Sequence, residues 1–597
     1  MTAPRLRIGV GCLMALAIAS VAAAGAQPSA IREKPVSKTG GVVRVTDFGA
    51  TPGDQSDDTA AVRAAIDHAV KTRARRLEFP KGRYTFAPAE ATRPGRILFQ
   101  VQNAGNLTID GMGSEFIFSG ISGCFWFGGC RNVTVCNLTI DWDRMPFSVG
   151  KVIAAARQSF LVQVRPEYPV KGGEPVGAFM EYDAETELPA QNGLDVYNAV
   201  ERTELVGPQL LRVHLTREIP VPVGRLVVLR HQVYSYNGFT ADRCTNMKYE
   251  DLTLYTVPGM GFVSIVCKDV TLRRCAVTVK PGTHRIMSAT ADASHFGGCK
   301  GTVRLEGCRF DGMGDDGVNI KSGLYLTVKE RVDDHTVLAA HNLKMADVPD
   351  AGDTMEMSHV ADLIPYGLAT VVKAVNEGGP EGLHRVEFAE ALPEALQPGD
   401  VLGNATRTPR VRIKDCRIGP NRARGMLLQT RDVVVEGCTF TRCTSAGVLV
   451  LTEVVYFFES IGTRNVTIRN NTFIDCNYGA AGAGGALCAL AWLKDFAEPP
   501  RPGVHRDIAF RNNRVIGTDN CGIYVSGVAD ITVTGNQIEQ AGRKPTGPTG
   551  SAAVYIRSSS GIKQERNRIP TDKQGEGFKT AVEYGPGCEG VVEGKRG

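Results

Sequence analysis

Eight segments of this chain stack in a single frame: VTLRRCAV, VRLEGCRF, VRIKDCRI, VVVEGCTF, VTIRNNTF, IAFRNNRV, ITVTGNQI and IKQERNRI. Each alternates apolar residues, then places a polar pair, then Cys or Asn, then a further apolar residue two places on. The Cys/Asn positions are Cys275, Cys308, Cys416, Cys438, Asn471, Asn513, Asn536 and Asn567, with Leu252 and Leu138 in the equivalent place earlier. The interval is 275 − 252 = 23, 438 − 416 = 22 or 536 − 513 = 23, and elsewhere it is longer by a loop. Period-2 patterning inside a 22 to 23 residue period means short strands stacked coil on coil, an all-β parallel solenoid. The 597 residues require such an array or several domains, because a single core does not grow that large.

A small side chain recurring at an inward turn packs along a ladder, so buried free thiols are expected at the four ladder cysteines. The chain contains no CxxC pair, which argues against a metal site. Cys124 with Cys130, and Cys438 with Cys443, are close enough in sequence for local bridges, though neither is expected. Eight residues after the ladder position comes x-Gly-apolar, as at Met260-Gly261-Phe262, Asp316-Gly317-Val318, Arg424-Gly425-Met426, Ala446-Gly447-Val448 and Cys521-Gly522-Ile523. The glycine is read as supplying backbone freedom for a turn or bulge that aims the preceding residue outward. Asp316 and Arg424 then share a column in successive coils.

Residues 141–235 and 322–408 break the repeat with alternating segments such as LLRVHLTREI and LATVVKAV. Both read as β-barrel or sandwich insertions leaving the solenoid at loops. The expected organisation is a leader at 1–26, an N-terminal helix and first coils at 27–140, the first insertion at 141–235, coils carrying the site at 236–321, the second insertion at 322–408 and C-terminal coils at 409–597. The second insertion leaves directly after the Asp315-Asp316 strand and is expected to wall it.

Arg5 and Arg7, the apolar run Ile8 to Ala24 and the small-x-small Ala24-Gly25-Ala26 read as a signal peptide. The run is short of the ~20 apolar residues of a membrane span, the competing reading. An exported protein, periplasmic or secreted, is therefore expected, with no membrane span after cleavage. A net charge of +5 without a basic block gives no reason to expect nucleic acid as a partner. The sequence carries no signal for oligomeric state.

Asp292, in ATADASHFGGC, precedes Asp315 of GMGDDGVNIKS by 315 − 292 = 23 residues, one repeat. On neighbouring strands roughly 4.8 Å apart, Asp292 and Asp315 would lie side by side and, with Asp316, form one carboxylate patch. Two carboxylates so close repel, so one pKa rises and yields a general acid, while Arg424 favours the ionised form of Asp316. Asp315 is expected as the acid, with Asp292 and Asp316 holding and activating water. His295, Asn319, Lys321 and Arg424 are the neighbouring candidates for substrate binding. Trp142, Tyr456 and Phe457 could stack on a sugar but suit a core better.

The opening VRVTDFGATPGDQSDDTAAVRAAIDHAVKTRARRLEFPKGRYTF, with a helix from Asp58 to Thr72 capped by Asp57 or Asp58, resembles that of right-handed parallel β-helix proteins of the pectin-lyase-like kind. At the aspartates the likeness narrows. Ala291-Asp292 with His295-Phe296, and Asp315-Asp316 with Val318-Asn319, resemble the paired motifs of glycoside hydrolase family 110. TFIDCNYG and the FFES segment near Glu459 are similar too.

That resemblance implies a β-helix with barrel insertions and an exo-acting, inverting α-1,3-galactosidase, with a carbohydrate substrate, no cofactor and no metal. Where the family continues Val-Asn-x-His-Gly, this chain has Val318-Asn319-Ile320-Lys321-Ser322. The lysine suggests an acidic or sulfated galactoside. A polygalacturonase shares the fold and the Asp-Asp pair, and Arg412-Ile413-Lys414 matches its Arg-Ile-Lys motif, but within an ordinary rung. A non-catalytic glycan-binding solenoid is the reading from another class. A calcium-dependent lyase would need a metal cluster and a basic residue to take a proton.

Overall fold

Alternating residues in each repeat form strands that bury one face, and the successive coils lie in parallel register, as in Thr245 on Lys268 and Val411 on Val433. The computed structural model describes residues 41–594 apart from 88–96, 343–346, 380–381, 480–483, 494–499, 545–551, 571–577 and 579; the leader read at 1–26 lies outside them. A 12-stranded sheet from Ile97–Gln102 to Thr580–Tyr584 forms one wall of a parallel β-helix, and a 22-stranded sheet forms the rest. The inward residues make one continuous apolar cluster. Within it the rings of Phe125, Phe239 and Phe262 stack coil on coil at 5.6 and 5.4 Å. The helix Thr59–Lys71 buries Val62, Ala65, Ile66 and Ala69 against the first coils. Its start is held by Asp57, whose carboxylate accepts from the Thr59 backbone N–H, while Asp58 accepts from Thr51.

The ladder column is an inward turn. Asn471, Asn513 and Asn536 each donate a backbone N–H to the amide oxygen of the asparagine one coil on, at 3.1, 3.0 and 2.8 Å. Cys438 joins by donating its N–H to Asn471, and Cys416 donates to the Cys438 sulfur. The described cysteines are all free. A second ladder, Cys130–Cys244–Cys267, runs along another corner with the same N–H to sulfur bonds, and the segment alignment missed it. The residue before each ladder position is left-handed, with Asp415, Asn470 and Asn512 at φ 54°, 56° and 52°. Asn and Asp tolerate that conformation better than most residues, which explains half of the recurring polar pair.

The glycine column has a different cause from the one expected. Neither Gly317 nor Gly425 has a positive φ. A Cβ on Gly317 would lie 2.6 Å from the Gly425 carbonyl oxygen, and one on Gly425 would lie 2.4 Å from that of Gly447. Close approach of adjacent coils, not turn freedom, requires glycine here.

The two interruptions differ. Strands from Leu326–Arg331 to Val401–Asn404 close into a six-stranded barrel with its own core. The earlier one, Phe147–Ala156 to Leu226–Arg230, is a seven-stranded antiparallel sheet that does not close. Ile286 and Met287 from a β-helix loop complete its apolar cluster, so the solenoid does for this sheet what closure does for the barrel.

Candidate active site

The strands Ser294–Gly297, Val318–Lys321 and Met426–Gln429 lie side by side in the 12-stranded sheet. Ser294 pairs with Val318, so the coil offset here is 24, and Asp292 is level with Asp316 (316 − 292 = 24) instead of with Asp315. The one-repeat pairing of Asp292 with Asp315 is thus corrected by one residue. Val318 pairs with Met426, which keeps Asp316 and Arg424 in one column as expected. The three aspartates still converge: one carboxylate oxygen from each lies within 4.8 Å of the others, and all three residues are buried.

Each carboxylate has different company. Asp292 accepts the Asp316 backbone N–H at 3.2 Å, and its other oxygen lies 2.9 Å from His295 Nδ1. Among the described residues no lysine or arginine bonds to it. Burial, with the Asp315 charge added, pushes its pKa well above the usual carboxylate range. Asp316 accepts the Arg424 backbone N–H at 3.0 Å, the Arg424 guanidinium at 2.8 Å and Asn319 Nδ2 at 3.4 Å. Burial pushes it up too, opposed by Arg424. Asp315 accepts Arg422 Nη1 at 2.7 Å and the Tyr234 hydroxyl at 2.5 Å. Burial would raise it, but Arg422, Arg424, the tyrosine bond and Arg230 outweigh burial and hold it below its ordinary value.

The expected division of charge is therefore reversed. Asp315 is the member held towards ionisation, while Asp292 and Asp316 are pushed towards the protonated form, Asp316 against the charge of Arg424 and Asp292 without a bonded cation to oppose it. The sequence argument used repulsion between two carboxylates and had no means of placing Arg422, Arg230 and Tyr234 around one of them. A cation bound by the three aspartates, the group of His, Cys, Asp and Glu ligands so spaced among the described residues, would compete with the guanidiniums already bonded there.

The other candidates fall close by. His295 is buried against Asp292 and held down to about 3 by burial, with Lys321 adding to the effect, so its ring is neutral. Asn319 Oδ1 and Arg424 Nε are buried without a hydrogen-bond partner. Lys321 donates to Glu459 at 2.7 Å. Burial raises Glu459, but Lys321 outweighs it and the carboxyl stays below its usual value. The lysine charge is thereby matched within the protein, which removes the reason for expecting a sulfated sugar. Glu459 sits on a loop whose backbone N–H groups at Val455, Tyr456, Phe457 and Glu459 converge on the Glu453 carboxylate. Tyr456 and Phe457 on that loop are half-buried. Trp142 stacks on Phe118 at 4.9 Å in the core.

Sequence reasoning missed Tyr234, Arg422, Arg230 and Asp195, and touched Glu459 only through the FFES likeness. Of these, Arg422 carried a faint signal, two residues from Arg424 in NRARG and so on the same turn. The others come from or beside the insertions, whose docking no repeat reveals. The wall on the Asp315 side is the open sheet, not the barrel expected there: Asp195 lies in its strand Asp195–Tyr197, Arg230 ends its strand Leu226–Arg230, and Tyr234 follows. The barrel packs instead behind the Glu459 loop, where Asn342 donates to the Tyr456 carbonyl. Arg412 bonds the carbonyls of Val411 and Asp432 and Lys414 lies 3.9 Å from Asp415, so the Arg-Ile-Lys match is an ordinary rung.

Fold and site together define a right-handed parallel β-helix protein with a buried acid–base cluster of carboxylates. The sequence model of the right-handed β-helix region matches residues 400–490. The chain is 27% identical over 559 residues to alpha-1,3-galactosidase A of Bacteroides fragilis strain YCH46, spanning 87% of this chain and 91% of that one. It is 28% identical over 481 residues to alpha-1,3-galactosidase B of Bacteroides thetaiotaomicron, 73% of this chain and 76% of that one. Among solved structures, the Yersinia enterocolitica family 28 exopolygalacturonase superposes with a TM-score of 0.43 at 12% identity, over 93% of this chain and 78% of that one.

Proposed function

We propose that the protein is an exo-acting α-galactosidase that removes terminal α-1,3-linked galactose from glycans by acid–base catalysis. The observation that carries this is the aspartate cluster, in which one carboxylate is held ionised and a neighbour is held protonated. Hydrolysis of a glycoside needs both an acid for the leaving oxygen and a base or nucleophile for the anomeric carbon. The two relatives' shared name supplies the sugar and the linkage. The open sheet on one side and the Glu459 loop on the other favour a blind site that takes a chain end. With Lys321 already paired, a neutral galactoside is the fitting substrate.

Asp292 is the proton donor and Asp315 the base that activates water, with Asp316 and Arg424 holding the geometry between them. Substitution of each aspartate by asparagine, assayed with activated and unactivated leaving groups, tests the split. An activated leaving group should restore Asp292→Asn, because it needs no acid. Restoration of Asp315→Asn instead would reverse the roles. Release of galacturonate but not galactose would decide for a polygalacturonase. Binding without turnover on every glycan would decide for the non-catalytic solenoid.

The family resemblance implies inversion, so β-galactose is the expected first product. A retaining enzyme, the alternative, would release α-galactose first. Proton NMR of the anomer released in the first minutes separates the two. We also propose export to the periplasm or medium through the 1–26 leader. N-terminal sequencing that finds Gln27 first would support this, and an intact leader on the mature protein would refute it.

A further inference from the structure

Arg230 is completely buried at the end of an inner strand of the inserted sheet, and its bonds run to both coils of the proposed site. Its Nη1 donates to the carbonyl oxygens of Thr290 and Gly314, each at 3.1 Å. These lie two residues before Asp292 and one before Asp315. Its Nη2 pairs with Asp195 at 3.1 Å, and Asp195 in turn pairs with Arg422 at 2.5 Å, the same guanidinium that holds Asp315. The Tyr197 ring lies 4.8 Å from the Arg230 guanidinium and 5.7 Å from that of Arg422. Gly314 makes this possible. A Cβ there would lie 2.4 Å from the Thr290 carbonyl oxygen and 3.1 Å from Arg230 Nη1.

We propose that Arg230 and Asp195 are positioning residues for the reaction: Arg230 fixes the spacing of the coils that carry Asp292 and Asp315, and Asp195 fixes Arg422 on Asp315. The inserted sheet is then part of the working site and not only its wall. A guanidinium would not be buried merely to anchor the sheet, since an apolar contact anchors without desolvating a charge. The groups facing Asp315 are Arg422, Arg424, Tyr234, Arg230, Tyr197, His295, Asp292 and Asp316. Removing a cation from that set raises the Asp315 pKa, and loosening Arg422 by removing the Asp195 carboxylate raises it as well. The two substitutions therefore move the pH profile in the same direction, whereas loss of the Asp195 charge without loss of positioning would move it the other way.

This rests on the galactosidase reading above. Arg230→Met and Asp195→Asn would be compared with wild type on an α-1,3-galactoside across pH. Arg230→Met should lower kcat about 100-fold, the scale of a misplacement near 1 Å, with KM changed less than about threefold. Its acid limb should move up by about one pH unit, and that of Asp195→Asn should move up by less, a downward shift counting against positioning. Equal Tm losses with both profiles unmoved would mean a plain anchor and would overturn the proposal. If Arg230→Met does not fold, the Asp195→Asn shift alone decides. A wild type inert on all α-galactosides would sink the galactosidase reading alone. Hydrogen exchange of peptides spanning 290–292 and 314–316 would then test the clamp: faster exchange in Arg230→Met supports it and unchanged exchange overturns it.

Discussion

Asn513 is 1% exposed and joins three coils through its side chain. Its amide oxygen accepts from the Asn471 backbone N–H and from Asn471 Nδ2, both at 3.1 Å. Its Nδ2 donates to the Ile468 carbonyl at 2.9 Å and to Asn536 Oδ1 at 3.0 Å. Asn513→Leu keeps most of the volume but strips the Asn471 N–H and the Ile468 carbonyl of these partners. Asn471 Nδ2 keeps the Val435 carbonyl, and Asn536 Oδ1 keeps the Asn513 N–H. The Asn471 N–H is orphaned at ~1–3 kcal/mol, and the Ile468 carbonyl, in a strand still paired with the next coil, loses one bond at ~0.5–1.5 kcal/mol, a loss of about 3 kcal/mol together.

Asn513→Cys should cost about half as much, because a sulfur in this column still accepts the preceding N–H, as Cys438 does from Cys416. Calorimetry at one scan rate suits a chain of this length, for which unfolding is often irreversible. Extrapolating the size scaling, about 1–2 °C per kcal/mol, gives Tm losses of about 3–6 °C for Leu and about 1.5–3 °C for Cys. A Leu variant within about 1 °C of wild type, or a Cys variant below Leu, would refute the hydrogen-bonded ladder as the reason for asparagine.

Three further outcomes are expected. Arg422→Met removes the nearest cation from Asp315. A carboxylate held low is ionised above its pKa and loses that form as pH falls, so the acid limb of kcat/KM should rise by about 1–3 units, and an unmoved limb would contradict the assignment of Asp315 as base. Lys321→Met leaves Glu459 buried and unpaired, at a cost of about 3–5 kcal/mol seen in denaturant unfolding; it should leave the ratio of sulfated to neutral galactoside turnover unchanged, and a collapse of that ratio would restore Lys321 as a sulfate reader. Gly425→Ala forces a Cβ to 2.4 Å from the Gly447 carbonyl oxygen; activity should fall with Tm, whereas a gain in Tm would show that the next coil leaves room for a methyl and would refute close approach as the reason for glycine.

The repeat made most of the fold legible. Alternation marked the strands, the Cys/Asn column marked the inward turn, and the breaks at 141–235 and 322–408 located both insertions. It also pointed to Asp292, Asp315, Asp316 and Arg424, to which the motif resemblance added His295, Asn319 and Lys321, and the structure gathers all of them at one place. The pairing of Asp292 failed by one residue because sequence intervals count loop residues along with strand residues. The column of glycines was seen, but its cause was a clash with the next coil, and contacts between coils leave no trace in a single repeat.

What the sequence determined by itself was therefore local and periodic: which residues face inward, where coils begin again, and which carboxylates lie within one rung of each other. Which carboxylate holds a proton was decided only by tertiary structure. That depends on Arg422, Arg230 and Tyr234 around Asp315, and on the lack, among the described residues, of a lysine or arginine bonded to Asp292. Burial and charge act through space over a few ångströms, and Arg230 reaches Gly314 across 84 residues of chain. No period of 22 or 23 residues encodes that contact.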